Sequence, residues 1–223
     1  MRLDLAERLR CPRAHPATPL VVVATAVDAR DLRRGFAGCP VCQLEARIVE
    51  GDVVFSDSPE ATPEDAVPSA WHSAEVSTPE LDRLIALLGL AEPGGSVLLT
   101  GRYARLATDL ARAADVVVIV MWADQRLPAD EHVASVRGLR TAVPFTDATF
   151  RGAAVDLDAT GSAAESDVTA LSLDVVRSVV VGGRVVGPSS LARPDGLKEL
   201  ARDAVEWVAE RQAISAPVAL RRR

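Results

Sequence analysis

The sequence predicts an α/β protein with a mostly parallel sheet covered by helices on both faces, preceded by a small metal-stapled head. Three observations predict it. Nearly continuous aliphatic runs, Ser96–Thr100 (S-V-L-L-T) and Asp115–Met121 (D-V-V-V-I-V-M), alternate with helical segments. Strands apolar on both sides belong to parallel sheets covered on both faces. All three cysteines and one of the three histidines fall in two short pairs near the start. Between head and body, the segment 56–76 is rich in Ser, Pro, Ala and acid and has no apolar periodicity.

The head spans residues 1–55. Leu3–Leu9 reads as a short helix feeding the first pair, C-P-R-A-H, which supplies Cys11 and His15. Leu20–Ala26 is a β-rich run. The second pair, C-P-V-C, supplies Cys39 and Cys42, with Gly35 and Gly38 loosening the backbone ahead of it. Leu44–Phe55 reads as a hairpin turning at Glu50-Gly51-Asp52. Two ligand pairs separated by a loop are the pattern of a zinc ribbon. A closed set of nitrogen and sulfur ligands leaves no open position, so zinc at Cys11, His15, Cys39 and Cys42 would be structural. A redox dithiol at Cys39 and Cys42 is the competing reading, and it leaves Cys11 and His15 without a role. A head this small buries too little core alone, and a metal cross-link supplies the deficit.

The linker spans 56–77; Trp71, near its end, is expected to pin it to the body. The body spans 78–223. Ser77-Thr78-Pro79-Glu80 is a helix start, with a hydroxyl cap, proline in the first turn and then acid. Helices are expected at Tyr103–Ala114, Pro128–Arg137, Ser166–Val180 and Pro194–Gln212. Further strands are expected at Gly152–Leu157, Gly182–Gly187 and Ala216–Leu220.

Composition narrows the function. With Lys+Arg 25 against Asp+Glu 31 the formal net charge is −6, which opposes broad binding of nucleic acid. Basic residues gather in the first 34 positions and in the tail Arg221–Arg223, and no Lys or Arg lies between Glu50 and Asp82. No secretory pattern opens the chain and no apolar run would span a bilayer, so a cytoplasmic, non-membrane protein is expected. Cysteines in metal-ligand spacing suit a reducing compartment.

The head, through "LAERLRCP", "GCPVC" and "ARIVEGDVVF", resembles the small zinc-ribbon activators of tRNA and protein methyltransferases, with His15 where that family carries a second cysteine. The body, through "EPGGSVLLTGRYARLATDLA", "VPFTDATFRGAAVDL" and "VGGRVVGPS", resembles class I S-adenosylmethionine (SAM)-dependent methyltransferases. That resemblance implies a Rossmann-like, methyltransferase-type sheet with the cofactor at the carboxyl ends of its strands. It places Gly101 at the glycine turn beside the methionine end of the cofactor. Around it the pattern departs. Tyr103 and Arg105 stand where small residues belong. Leu99 replaces the acid of the first strand. Val120-Met121-Trp122 replaces the ribose-gripping acid, with Asp124 slightly late, and Leu139–Ala142 offers no acid for the adenine.

A site missing several polar contacts binds a polar cofactor poorly. The expectation is therefore a zinc-binding, methyltransferase-like pseudo-enzyme that does not bind SAM. It would work as a non-catalytic partner whose head engages another protein. The alternative is an active SAM-dependent methyltransferase acting on RNA or protein. A dinucleotide binder is disfavoured because no G-x-G-x-x-G follows the first strand. In the vacated crevice, Tyr103, Arg102 or Arg105 is expected to lie across the opening, the arginines paired with Asp124 or Asp156.

Overall fold

The structure is a computed structural model describing residues 1–55, 77–122, 130–139, 142–157 and 165–213. The head contains helix α1 (Leu3–Ala6) and strands β1 (Val21–Asp28), β2 (Asp31–Gly38), β3 (Glu45–Val49) and β4 (Asp52–Phe55). The body contains α2 (Thr78–Leu88), β5 (Ser96–Thr100), a 3-10 helix (Gly101–Leu106), α3 (Ala107–Ala114), β6 (Val117–Met121) and β7 (Val133–Arg137). It continues through β8 (Phe150–Ala154), α4 (Glu165–Ser178), β9 (Val179–Pro188), β10 (Leu197–Arg202) and β11 (Glu206–Arg211).

The eleven strands among the described residues join one sheet in the order β1-β2-β3-β4-β7-β6-β5-β8-β9-β11-β10. The middle, from β4 to β9, is parallel, and both wings are antiparallel. The sheet as a whole is thus mixed, while the body's strands from β7 to β9 are parallel as expected. Residues of β5 alternate between its two sides. Val97 and Leu99 pack with α2, the 3-10 helix and α3 on one face. Leu98 packs with α4 and the head on the other. Helices therefore cover both faces, as the unbroken aliphatic runs require, and β5 and β6 are almost wholly buried. Helix α2 closes as its sequence suggests. Gly89 adopts φ 68°, and the Leu90 and Gly89 N–H groups cap the carbonyls of Ile85 and Ala86.

Several expected elements differ. The segment expected as a helix at 128–137 contains strand β7, because Val133-Ala134-Ser135-Val136 fills a slot between β6 and β4. The long helix expected at 194–212 is the β10–β11 hairpin. Its apolar residues fit a helical period as well as a strand period, and pairing of β11 with β9 decides the matter. The Asp203 carboxylate turns the chain between the two strands by accepting the N–H groups of Val205 and Glu206. The stretch holding Gly35 and Gly38 is strand β2, not a loosened loop. A Cβ at Gly35 would lie 2.3 Å from the Val23 carbonyl oxygen, so glycine serves strand contact there. The helix expected at Tyr103–Ala114 begins as a 3-10 turn, and α1 ends at Ala6 rather than Leu9. Trp71, Asp124 and the strand expected at 216–220 lie outside the described residues.

Head and body do not have separate cores. Parallel pairing of β4 with β7 carries the sheet across, and Leu9, Cys11 and Phe55 share one buried cluster with Leu98, Ile119, Phe145 and Leu171. Backbone bonds from Arg10 N–H to the Pro144 carbonyl and from Thr146 N–H to the Arg8 carbonyl, 3.0 and 2.8 Å, clamp the same junction. The Arg10 guanidinium reaches Asp174 of α4 at 2.8 Å, and Asp52 accepts the Ser135 N–H and an Arg137 N–H. Among the described residues, no helix is long and apolar enough to cross a membrane.

Candidate metal centre and carboxyl-edge crevice

The sequence placed two features of interest at opposite ends of the fold's logic, a ligand cluster in the head and a glycine turn in the body. In the head, the Cys39-Pro40-Val41-Cys42 turn lies between β2 and β3. It is closed by Gln43, which sits at φ 57° and donates its N–H to the Cys39 carbonyl. The Cys11 turn is held by a bond from Cys11 N–H to the Thr18 carbonyl, 2.8 Å. The two turns bring the side chains of Cys11, His15, Cys39 and Cys42 together, with all four ligand atoms within 4.8 Å of one another. Cys11 Sγ lies 3.5 Å from Cys42 Sγ and 3.1 Å from His15 Nε2, and Cys39 Sγ lies 3.4 Å from His15 Nε2.

These spacings fit a tetrahedral ion. Sulfurs at zinc–thiolate distance sit about 3.8 Å apart along a tetrahedron's edge. The tautomer of His15 fits too. Its Nδ1 lies 2.8 Å from the Pro16 carbonyl oxygen, which can only accept, so Nδ1 carries the proton. Nε2 then presents its lone pair to the sulfurs, the orientation that a second hydrogen bond imposes on metal-ligating histidines. Burial pushes the Cys11 thiol up to about 12. Burial acts the same way on Cys39 and Cys42. It is outweighed there by backbone N–H donors, from Val41 and Cys42 to Cys39 and from Leu44 to Cys42, and both thiols fall below their ordinary value. Turns that aim N–H groups at sulfur stabilise thiolates, and thiolates are what a metal binds.

In the body, the strand order reverses between the parallel neighbours β5 and β8, which makes the carboxyl ends of these strands the expected ligand crevice. Thr100 and Asp156 lock the two ends together. Thr100 Oγ1 donates to the Asp156 carbonyl at 3.1 Å and accepts the Asp156 N–H at 2.8 Å. Gly101 follows at φ 53°. A Cβ on it would lie 2.6 Å from the Asp156 carbonyl oxygen and 2.9 Å from its Cβ. The room that glycine leaves is thus taken by Asp156.

Arg102 lies over this turn. Its Nε is 3.8 Å from Asp156 Oδ2, and its Nη2 is 3.6 Å from Glu206 Oε1 and 3.0 Å from the Tyr103 hydroxyl oxygen. The buried Tyr103 donates its hydroxyl proton to Glu206 Oε1 at 2.7 Å. Burial foremost pushes its pKa well above the ordinary phenol value. Glu206 Oε2 accepts from Arg83 at 3.0 Å, and Arg83 also bonds Asp203 at 2.7 Å. At the end of β6, Met121 and Trp122 are buried among apolar side chains, and Trp122 Nε1–H donates to the Leu139 carbonyl.

Of the expected arrangement, Arg102 with Asp156 is present, while Arg105 pairs with Glu80 of α2 instead. Asp124 lies outside the described residues. Sequence reasoning missed Glu206, Arg83 and Asp203. Two of the three sit in the segment read as a helix, so nothing in that reading brought them to this edge. Among the described residues, three features of this turn differ from the SAM site that the sequence resemblance implies. The glycine cradle is filled by Asp156, the nearby acids already have cationic partners, and an apolar pair stands where β6 ends.

No protein-family model matches the chain, and no curated protein matches it. Among solved structures, it is similar to a TehB-like SAM-dependent methyltransferase from Corynebacterium glutamicum, at 17% identity and TM-score 0.42, covering 59% of this chain and 86% of that one. It is also similar to an S-adenosyl-L-methionine methyltransferase from Silicibacter pomeroyi, at 19% identity and TM-score 0.40, covering 61% and 99%. Geranyl diphosphate C-methyltransferase from Streptomyces coelicolor is similar at 18% identity and TM-score 0.37, covering 59% of this chain and 50% of that one.

Proposed function

We propose that this chain is a zinc-binding, methyltransferase-like protein with a closed cofactor site, acting as a non-catalytic partner or regulatory protein. One observation carries the reading. The Arg102 guanidinium lies between Asp156 and Glu206 above a glycine turn whose free side Asp156 already occupies. Arg102 is itself exposed, so its pairs with the largely buried Asp156 and Glu206 contribute little energy; what closes the turn is the space that Asp156 fills.

The zinc is held by Cys11, His15, Cys39 and Cys42 and serves the fold, since four protein ligands leave no position for substrate. The head, residues 1–55, acts as the contact module for a protein partner, and 56–77 links it to the body, 78–223. Exposed Val21, Val23, Phe36 and Val41 on the head support a contact surface there.

Calorimetric titration of the full chain with SAM and S-adenosylhomocysteine tests the reading. Neither should bind at cellular concentrations. Binding in the low micromolar range would overturn it in favour of an active methyltransferase acting on RNA or protein, with Gly101 touching the methionine end. Elemental analysis of protein purified without chelator should find about one zinc per chain.

A further inference from the structure

A second groove lies at the opposite, amino-terminal edge of the parallel strands, where α1 of the head overhangs the starts of β5, β6 and β8. It encloses about 560 Å³, within the range of small-molecule sites. Its chemistry is uneven. Arg151 is held in place through Nη1, which donates to the carbonyls of Glu92 and Gly94, both at 2.7 Å. Its stem runs past Gly95, where a Cβ would come within 3.0 Å of the Arg151 Cδ. Among the described residues its Nε and Nη2 have no partner, and no carboxylate pairs with it. Arg8, across the groove on the head, is exposed and makes no ion pair among the described residues. The other lining charges are accounted for. Arg2 pairs with Asp4 at 3.1 Å, and His132 lies 4.0 and 3.8 Å from Asp130 and Glu131. Asp115 is the remaining carboxylate of the wall.

Two unpaired guanidiniums facing one carboxylate form a local positive site in a chain of net charge −6. A guanidinium fixed along one edge presents its remaining donors as a fork, the geometry that matches phosphate oxygens. We propose that this groove binds a small phosphate-bearing molecule between Arg8 of the head and Arg151 of the body. The site is independent of whether the carboxyl-edge crevice takes SAM. A ligand there touches both halves of the chain and stabilises their junction in proportion to its occupancy.

The test is calorimetric titration of the full, metal-loaded chain with inorganic pyrophosphate and with ribose 5-phosphate, alongside thermal-shift measurements. At least one probe should bind with a Kd below about 1 mM. Arg8→Glu and Arg151→Gln should each weaken it about tenfold or more, the glutamine retaining an amide donor for the Glu92 and Gly94 carbonyls. Arg34→Glu, on the exposed face of β2, should leave binding unchanged. The proposal is overturned if neither probe binds by about 10 mM. It is also overturned if Arg34→Glu weakens binding as much as Arg8→Glu, or if binding survives both groove variants.

Discussion

The ligand cluster of the head and the glycine turn of the body are both places where polar side chains converge, and they converge in opposite ways. In the head, three sulfurs and an imidazole nitrogen face one another at 3.1 to 3.5 Å along the measured edges, and the nearby Arg13 guanidinium donates to the Cys42 carbonyl at 3.4 Å. Their backbone donors and the His15–Pro16 bond leave the lone pairs aimed at a common centre. In the body, the described charged groups over Gly101 each have an opposite number. Arg102 meets Asp156 and Glu206, Arg83 meets Glu206 and Asp203, and Arg105 meets Glu80. A set of like donors with nothing between them asks for a ligand, because buried polar groups left unmatched are costly. A set whose charges are already paired does not.

The largest effect should come from breaking the head's cluster. Replacing both Cys39 and Cys42 with Ser should abolish metal binding and unfold the whole chain in one transition. Structural zinc sites contribute on the order of 10 kcal/mol, comparable to the entire stability of a domain. The shared cluster around Leu9, Phe55 and Phe145 makes this a property of the whole chain, whereas the sequence with its linker suggests loss of the head alone. Metal content and thermal circular dichroism check it, and a body transition unmoved by the double substitution would restore the two-core picture.

The junction can be probed without touching the metal. Gly138, just past β7, has φ 72°, and a Cβ there would fall 1.7 Å from the Phe55 carbonyl oxygen at the end of β4. Gly138→Ala should cost about 3 kcal/mol or more in denaturant unfolding, since backbone rather than a pliable side chain must move. Gly94→Ala, at φ 86° with nothing within 4 Å, should cost only about 1 kcal/mol.

In the body, Tyr103→Phe removes the donor to Glu206 while Arg102 and Arg83 still serve that carboxylate. A loss of about 1 kcal/mol is expected, with S-adenosylhomocysteine still unbound by calorimetry. Binding gained by this variant would mean that the tyrosine alone closes the crevice.

The smallest effect concerns Asp203. The bond from Arg83 first, then the N–H groups of Glu206 and Val205, hold its carboxyl well below the usual range. A depressed carboxyl pKa stabilises the fold above the ordinary aspartate value and loses that contribution as pH falls through the folded-state value. Comparing melting temperatures of wild type and Asp203→Asn between about pH 2 and 6 should show a shallower acid-side fall in the variant. Identical slopes would remove this pair from the account.

The cluster of Cys11, His15, Cys39 and Cys42 was legible because metal-ligand spacing is local; each turn needs only a few consecutive residues to present its pair. The buried strands β5 and β6 were legible for a similar reason, since a strand covered on both faces must be apolar at every position. The pairing of Arg102 with Asp156 could be anticipated because both sit at ends of strands that the aliphatic runs mark. Glu206 and Arg83 could not, since their approach depends on a hairpin that the sequence writes in an ambiguous period.

What the sequence determined by itself is therefore the content of each strongly patterned segment: two Cys/His pairs in metal-ligand spacing, a linker-like stretch of Ser, Pro and acid, and aliphatic strands alternating with helices. What only the tertiary structure decided is how those segments are joined. Val133–Arg137 and Glu206–Arg211 become strands because neighbouring strands offer unpaired backbone N–H and C=O groups, and satisfying a whole row of them outweighs the few tenths of a kcal/mol per residue by which propensity separates helix from strand. The same pairing, β4 against β7, merges head and body into one core, a fact carried by contacts far apart in sequence and therefore invisible to any local pattern.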